Sequence, residues 1–346
     1  MNLPFLTKKS TTPSRKPPQD LVALDFGYSG IKAVRLKKVN GVPTVMSVDV
    51  LPAVRIDEQS AEGPRKPTRM DLAKPMQANY AAVAYSGGRA LVRVVSIPGQ
   101  MSDHNETEQA LREHIGLDKS YRVAYLPTST ARGKDARVLA VALPNSDAET
   151  VLSHVGVGAP APHSMEISGL SAMHACLMGP AAQADSEAVC IIECGAQVSV
   201  MAIFNKGALV LARKLEVGGQ LVVAHIQKQF GVDGEMAQSI LTQGAFDISA
   251  SVKHVIDPFV RQLTISRDFV ERQENCRISG IFMSGGMCLS AGWVKEIERA
   301  AGMPVRMWDP FAGRTMGPGA YPEHLQGQQA RFAAAMGAAL GGMEAP

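Results

Sequence analysis

Four glycine-bearing segments are where this sequence could do chemistry. They are Asp25-Phe26-Gly27-Tyr28-Ser29-Gly30, Glu193-Cys194-Gly195-Ala196-Gln197, Gly218-Gly219 and Ser284-Gly285-Gly286. Glycine lets backbone N–H groups approach an anion closely, and a helix N-terminus adds partial positive charge. An acidic residue ahead of such a turn can hold Mg²⁺, usually through water. Taken singly, each segment reads first as an ordinary hairpin or helix cap. All four in this order point to a phosphate ligand. The chain has no GxxxxGK loop, no GxGxxG after a strand, no HExxH and no GxSxG, and its eight histidines are dispersed.

Each turn needs an element to hold it. Residues 21–24 form an apolar run that predicts a buried strand, 25–30 a turn and 31–36 a second strand. Asn40-Gly41 signals a hairpin into a third strand over 42–50. The polar stretch 57–68, with Pro64 and Pro67, predicts a surface loop, and Ser86-Gly87-Gly88 predicts a hairpin between strands 81–85 and 90–97. Residues 99–165 then form a compact α/β unit: helix 106–114, strand 122–126, the turn Arg132-Gly133-Lys134-Asp135, strand 137–143, and a helix capped by Asn145 or Ser146. A further helix is expected over 168–178.

At Ala188 the opening pattern recurs, with strands over 188–192, 198–204 and 208–215 and a hairpin at Asn205-Lys206-Gly207. An acidic residue two before a glycine thus occurs twice, at Asp25 and Glu193, which implies two related halves. Amphipathic helices follow, one after Gly218-Gly219, one over 234–242, and a long one over 251–272 that Pro258 should kink. Strand 278–283, helix 290–300 and a small-residue helix over 328–340 complete the chain.

The 346 residues are about twice a typical domain, and 46% hydrophobic against 19% charged residues excludes a disordered chain. The net charge of +3 is matched by Lys8, Lys9, Arg15 and Lys16 against Asp20, so the body is neutral and is not a nucleic-acid binder. No apolar run suffices for a direct membrane span, and the N-terminus lacks the apolar stretch of a secretory signal. Five scattered cysteines read as reduced thiols in a cytoplasm, and Cys190 and Cys194 lack partner ligands for zinc.

The order DFGYSGIKAVRL, ECGAQVSVMAIFNKGALVLARKLEVGG and IFMSGG resembles the phosphate-1, phosphate-2 and adenosine segments of the actin and FtsA superfamily. It is most similar to the PilM family of type IV pilus assembly, which LVRVVSIPGQMSD, RKLEVGGQLVVAHIQKQFGVD and FAAAMGAALGGM also resemble. The resemblance runs from residue 20 to 343, leaving out the tail and 57–80. It implies an actin-like two-lobed α/β fold with an inserted subdomain of the 1C type. The implied layout is a disordered basic tail over 1–20, subdomain 1A over 21–98 and 166–187, and 1C over 99–165. Subdomain 2A takes 188–217 and 251–322, 2B takes 218–250, and a C-terminal helix over 323–346 returns to 1A.

The resemblance also implies ATP held by Asp25, Gly27, Tyr28, Ser29, Lys32, Glu193, Gly195, Ala196, Gln197, Gly218, Gly219, Gly285 and Gly286, with Mg²⁺ facing Asp25 and Glu193 through water. This sequence departs from the family in three places. Phosphate-2 usually carries Asp-Ile-Gly where Glu193-Cys194-Gly195 stands, and the family's Ala-Glu-x-x-Lys becomes Ala237-Gln238-Ser239-Ile240-Leu241. Tyr28 replaces a residue that is commonly small. These departures imply weak ATP binding, slow or absent hydrolysis, and no catalytic residue.

The implied role is a cytoplasmic scaffold, peripheral to the inner membrane through its partners. It would hold the cytoplasmic N-terminal peptide of a PilN-like membrane protein in a groove between 1A and 1C, with Val92, Val94 and Val95 leading in, alongside other pilus motor components. A small-molecule kinase of the superfamily is the alternative. It needs a base beside an acceptor hydroxyl, and no acid in the middle segments stands out for this. An FtsA-like polymer is the third reading, and it needs an amphipathic C-terminal helix where the chain ends Gly341-Gly342-Met343-Glu344-Ala345-Pro346. Finally, Met1-Asn2-Leu3-Pro4 is similar to the Asn-Leu-x-Pro-type peptide the family accepts, which implies self-docking or a homo-oligomer by exchange of tails.

Overall fold

A computed structural model describes residues 16–344 apart from 62, 64–65, 98–103, 129–134, 182–187 and 244–247. The docking segment of the tail and most of the expected turn at 132–135 lie outside the described residues. The chain opens with β1 (Asp20–Gly27), β2 (Gly30–Val39), β3 (Val42–Leu51), α1 (Ile56–Ala61) and β4 (Tyr80–Tyr85). It continues through β5 (Leu91–Ile97), α2 (His104–Ile115), β6 (Tyr121–Pro127), β7 (Ala136–Pro144), α3 (Asn145–Ser153), β8 (Ala161–Glu166) and α4 (Ser168–Leu177). The second half holds β9 (Ala188–Cys194), β10 (Ser199–Asn205), β11 (Ala208–Leu215), α5 (Gly219–Phe230), α6 (Gly234–Gln243) and α7 (Ser249–Glu274). It closes with β12 (Ile278–Ser284), α8 (Ala291–Ala301), β13 (Val305–Met307), β14 (Thr315–Met316) and α9 (Ala333–Met343).

The two halves repeat one plan. In the first sheet β3, β2 and β1 run antiparallel and β1 then pairs parallel with β4; in the second, β11, β10 and β9 run antiparallel and β9 pairs parallel with β12. Both meanders turn on residues held at positive φ. Asn40 and Gly41 lie at 52° and 81°, and Lys206 and Gly207 at 50° and 74°, the pairing a two-residue type I′ turn requires. The acid-to-glycine turns at Asp25 and Glu193 therefore occupy equivalent strand ends, which is why the pattern could be read twice from the sequence.

Alternation on β9 shows how the lobes join. Val189 and Ile191 pack into the first core, with α4 and α9, whereas Cys190, Ile192 and Cys194 face the second, with α5 to α8. A strand buried on both faces reads as a continuous apolar run, as 188–192 does. Helix α9 is apolar all round and buried almost throughout, as a core helix must be. Its small residues let it lie close to α4, so close that a Cβ on Gly337 would fall 1.7 Å from the Ser171 carbonyl oxygen.

Several expectations are corrected. Strands β4 and β5 form no hairpin: β4 belongs to the first sheet, and β5 pairs antiparallel with β7 in the second. The order β13-β12-β9-β10-β11-β5-β7-β6 makes the inserted unit an extension of the second sheet, joined through the single pair Arg213 and Arg93. Nor is the unit at 99–165 self-contained. β8 pairs parallel with β4, and Leu139, Val141, Leu143, Ala148 and Val151 are in the first lobe's core, leaving Val138 and Ala140 to a small separate cluster with Val95, Ile97 and Leu111. Residues 57–61 of the expected loop belong to α1, anchored by buried Ile56. The closing helix begins at Ala333, after a short 3-10 turn over Gln329–Phe332, and α7 runs through Pro258 without interruption.

Candidate functional site

The strand-end turns of the two halves face each other across a cleft of about 470 Å³. Of the residues expected around a nucleotide, Asp25, Gly27, Tyr28, Ser29, Lys32, Glu193, Gly195, Ala196, Gln197, Gly219 and Gly286 line it. Gly218 and Gly285 stand just behind. A Cβ on Gly218 would meet Ala196 O at 2.5 Å, and one on Gly285, whose φ is +98°, would meet Cys194 O at 2.3 Å. These two glycines bring the second lobe's loops close against the turn at 193–197.

Asp25 is buried at the end of β1 and accepts a hydrogen bond from Ser168 Oγ at 2.6 Å. Burial raises its pKa, against the opposing pull of Lys32 and of Ser168. Lys32 stands directly opposite it on β2, so the two side chains share one face of the sheet. The ammonium leans toward the turn: a Cβ on Gly27 would come within 2.3 Å of Lys32 Nζ. Burial lowers the Lys32 pKa, with Asp25 opposing. Glu193 has its pKa pushed up to about 8 by burial and then by the Asp25 charge.

Mg²⁺ is bound by one or two ionised carboxylates, water and phosphate oxygens. Here Asp25 is engaged by Ser168 and faces a lysine, and burial disfavours the Glu193 carboxylate. Among the described residues no group of three or more His, Cys, Asp or Glu could hold a metal ion. The residues present do not fit a resident divalent cation.

Helix α5 points its N-terminus at the cleft, but its first amides are already used. Gly219 N–H donates to Gly195 O at 3.1 Å and Gln220 N–H to Ala196 O at 2.8 Å. The α5 terminus therefore braces the phosphate-2 turn instead of offering those donors to an anion.

Arg55, Ser168, Thr242 and Arg331 were not anticipated. Arg55 lies 3.7 Å over the Tyr28 ring and donates to Tyr28 O, which clamps the bulky residue at the first turn. Ser168 at the start of α4 orients Asp25. On α6, Gln238 and Thr242 line the cleft while Ala237, Ile240 and Leu241 are buried, so Gln238 offers an amide where the family offers an acid. Arg331 reaches in from the turn before α9. No local sequence pattern marks Arg331 or Arg55, because each acts through a tertiary contact.

Comparison with known proteins follows the same lines. The family model described as type IV pilus assembly protein PilM matches residues 168–343, more than half of the chain. A solved PilM–PilN type IV pilus biogenesis complex is 18% identical, covers 94% of this chain and 100% of its own, and superposes with a TM-score of 0.77. The fold is therefore the actin-like fold of that protein. Two further solved structures are similar more distantly. The ethanolamine utilization protein EutJ from Carboxydothermus hydrogenoformans has 14% identity, 94% and 90% coverage and a TM-score of 0.45. MreB 5 of Spiroplasma citri bound to AMPPNP has 12% identity, 95% and 96% coverage and a TM-score of 0.46.

Proposed function

The chain belongs to the type IV pilus assembly protein PilM family, and from that premise we propose that it is a cytoplasmic scaffold of a pilus-like assembly machine. It holds the cytoplasmic N-terminal peptide of a PilN-like inner-membrane protein and lies against the membrane through that partner. The observation that carries the reading is the family match over residues 168–343. No helix of the described residues is long and apolar enough to cross a membrane, so attachment through a partner fits.

The cleft is a weak ATP site in this reading. It keeps both glycine turns and Lys32, but its acids are engaged or disfavoured as carboxylates and its α5 amides are used. Nucleotide would favour the closed two-lobed state rather than drive turnover, stabilising the protein by mass action.

The peptide groove belongs beside the inserted unit. Of the valines expected to lead in, Val92 and Val94 line a cavity between β5, β11 and α7, whereas Val95 is buried at 7% exposure. β6 suits an extended peptide better: it ends its sheet and is half-buried from Tyr121 to Leu126, so one backbone edge takes no strand partner among the described residues. A pull-down on the immobilised PilN-like N-terminal peptide, with a scrambled peptide as control, tests the reading. Retention on the native peptide alone supports it, and equal retention on both removes it.

A further inference from the structure

Two cations, Lys32 and Arg331, line the cleft, and among the described residues neither forms an ion pair. Lys32 is only 7% exposed, and among the described residues no ion pair or side-chain hydrogen bond engages its ammonium. Arg331 comes from the other end of the chain. Its Nη1 donates to Gln328 Oε1 at 2.7 Å, and its Nε is buried with no partner. Burying a guanidinium N–H without a partner is unfavourable unless a ligand completes it. Asp25, the carboxylate whose charge both feel, accepts from Ser168 and pairs closely with neither.

We propose that Arg331 is a phosphate-binding residue of this cleft, acting with Lys32 so that two side chains supply the positive charge a divalent metal otherwise brings to a nucleoside triphosphate. The proposal rests on the nucleotide reading above and adds to it a residue and an independence from metal. Arginine suits the task because its planar fork takes two phosphate oxygens at once, while lysine acts as a point charge.

The position of Arg331 gives such a contact a second effect. The neighbouring Ala330 carbonyl accepts a hydrogen bond at 2.9 Å from Gly285 N–H of the second lobe, and α9, which follows, is packed in the first. Lys32 is on β2 of the first lobe. A polyphosphate gripped by both residues therefore ties a first-lobe strand to the segment that joins the lobes.

Calorimetric titration of ATP into the full chain, in excess EDTA and in excess Mg²⁺, tests this with Arg331→Gln, Arg331→Lys and Lys32→Met. The wild type should bind with a Kd in EDTA within about threefold of its value in Mg²⁺. Arg331→Gln should weaken binding in EDTA by about tenfold or more, with Arg331→Lys between the two. Arg331→Lys also covers the case in which the glutamine variant does not fold. The proposal is overturned if the wild type loses ATP in EDTA, or if both arginine variants bind as the wild type does. Loss in Lys32→Met alone overturns the Arg331 assignment and leaves the nucleotide reading standing. If the wild type binds no ATP in either condition, the nucleotide reading itself falls, and this proposal with it.

Discussion

Lys32 faces Asp25 in register across the β1–β2 ladder, yet no ion pair joins them. The lysine leans to the Gly27 turn, and Ser168 takes the aspartate. A structural salt bridge would have closed on itself. This pair is held apart within the cleft, where the proposed phosphate contact would fall.

Lys32→Met should therefore act in opposite directions on two measurements. Burial disfavours the Lys32 charge more than Asp25 favours it, so an apolar side chain of similar length should stabilise the nucleotide-free protein, while ATP binding weakens. Urea unfolding without nucleotide checks the first half. A loss of stability would mean that Lys32 is a structural ion-pair partner after all.

Glu166 predicts how stability depends on pH. It is buried beneath α9, accepts from Ser171 Oγ at 2.5 Å, and has its pKa raised from 4.5 to about 8 by burial, with the Glu344 charge adding to the rise. Between those values the unfolded chain has lost the proton that the folded chain keeps. Stability should fall as pH rises through that window and level off above it. Glu193 acts in the same sense. Glu166→Gln should flatten the decline and, at pH 8, exceed the wild type by on the order of 2 kcal/mol. Denaturant midpoints from pH 5 to 8.5 measure this, and parallel curves for the two proteins would refute it.

Two glycines should behave very differently on substitution. Gly337→Ala places a methyl against the Ser171 carbonyl and must pry α9 from α4, so it should destabilise by about 3 kcal/mol or more. Gly286→Ala meets nothing within 4 Å and should change stability by less than about 0.5 kcal/mol. Thermal unfolding of both variants checks the contrast. Similar values for the two would mean that α9 is not locked against α4 as tightly as its backbone contact indicates.

Much of this was legible in the sequence because it is written in local chemistry. Asn40-Gly41 and Lys206-Gly207 specify their own hairpins, and the repeated acid-to-glycine turns reveal the two halves and most of the cleft lining. Partner choice between distant strands was not legible. The Ser86-Gly87-Gly88 turn looks like a hairpin signal, but Tyr85 closes over Gly87 and the chain crosses to the other sheet. β8 escaped notice because Ala161-Pro162-His163-Ser164-Met165-Glu166 has no strand pattern of its own and is recruited by β4. Arg331 precedes a helix of small residues and looks like an ordinary solvated charge until the fold brings it to Asp25.

Affinity for the partner peptide is the most direct test of the scaffold role. Calorimetric titration of the PilN-like cytoplasmic N-terminal peptide into the full chain should give a micromolar Kd, as a short peptide burying a small area allows. ATP should change that Kd by no more than about threefold if, as proposed, nucleotide favours the closed lobes without driving chemistry. No binding at peptide concentrations up to about 1 mM, where even an interaction of about −4 kcal/mol is detected, would contradict the scaffold account.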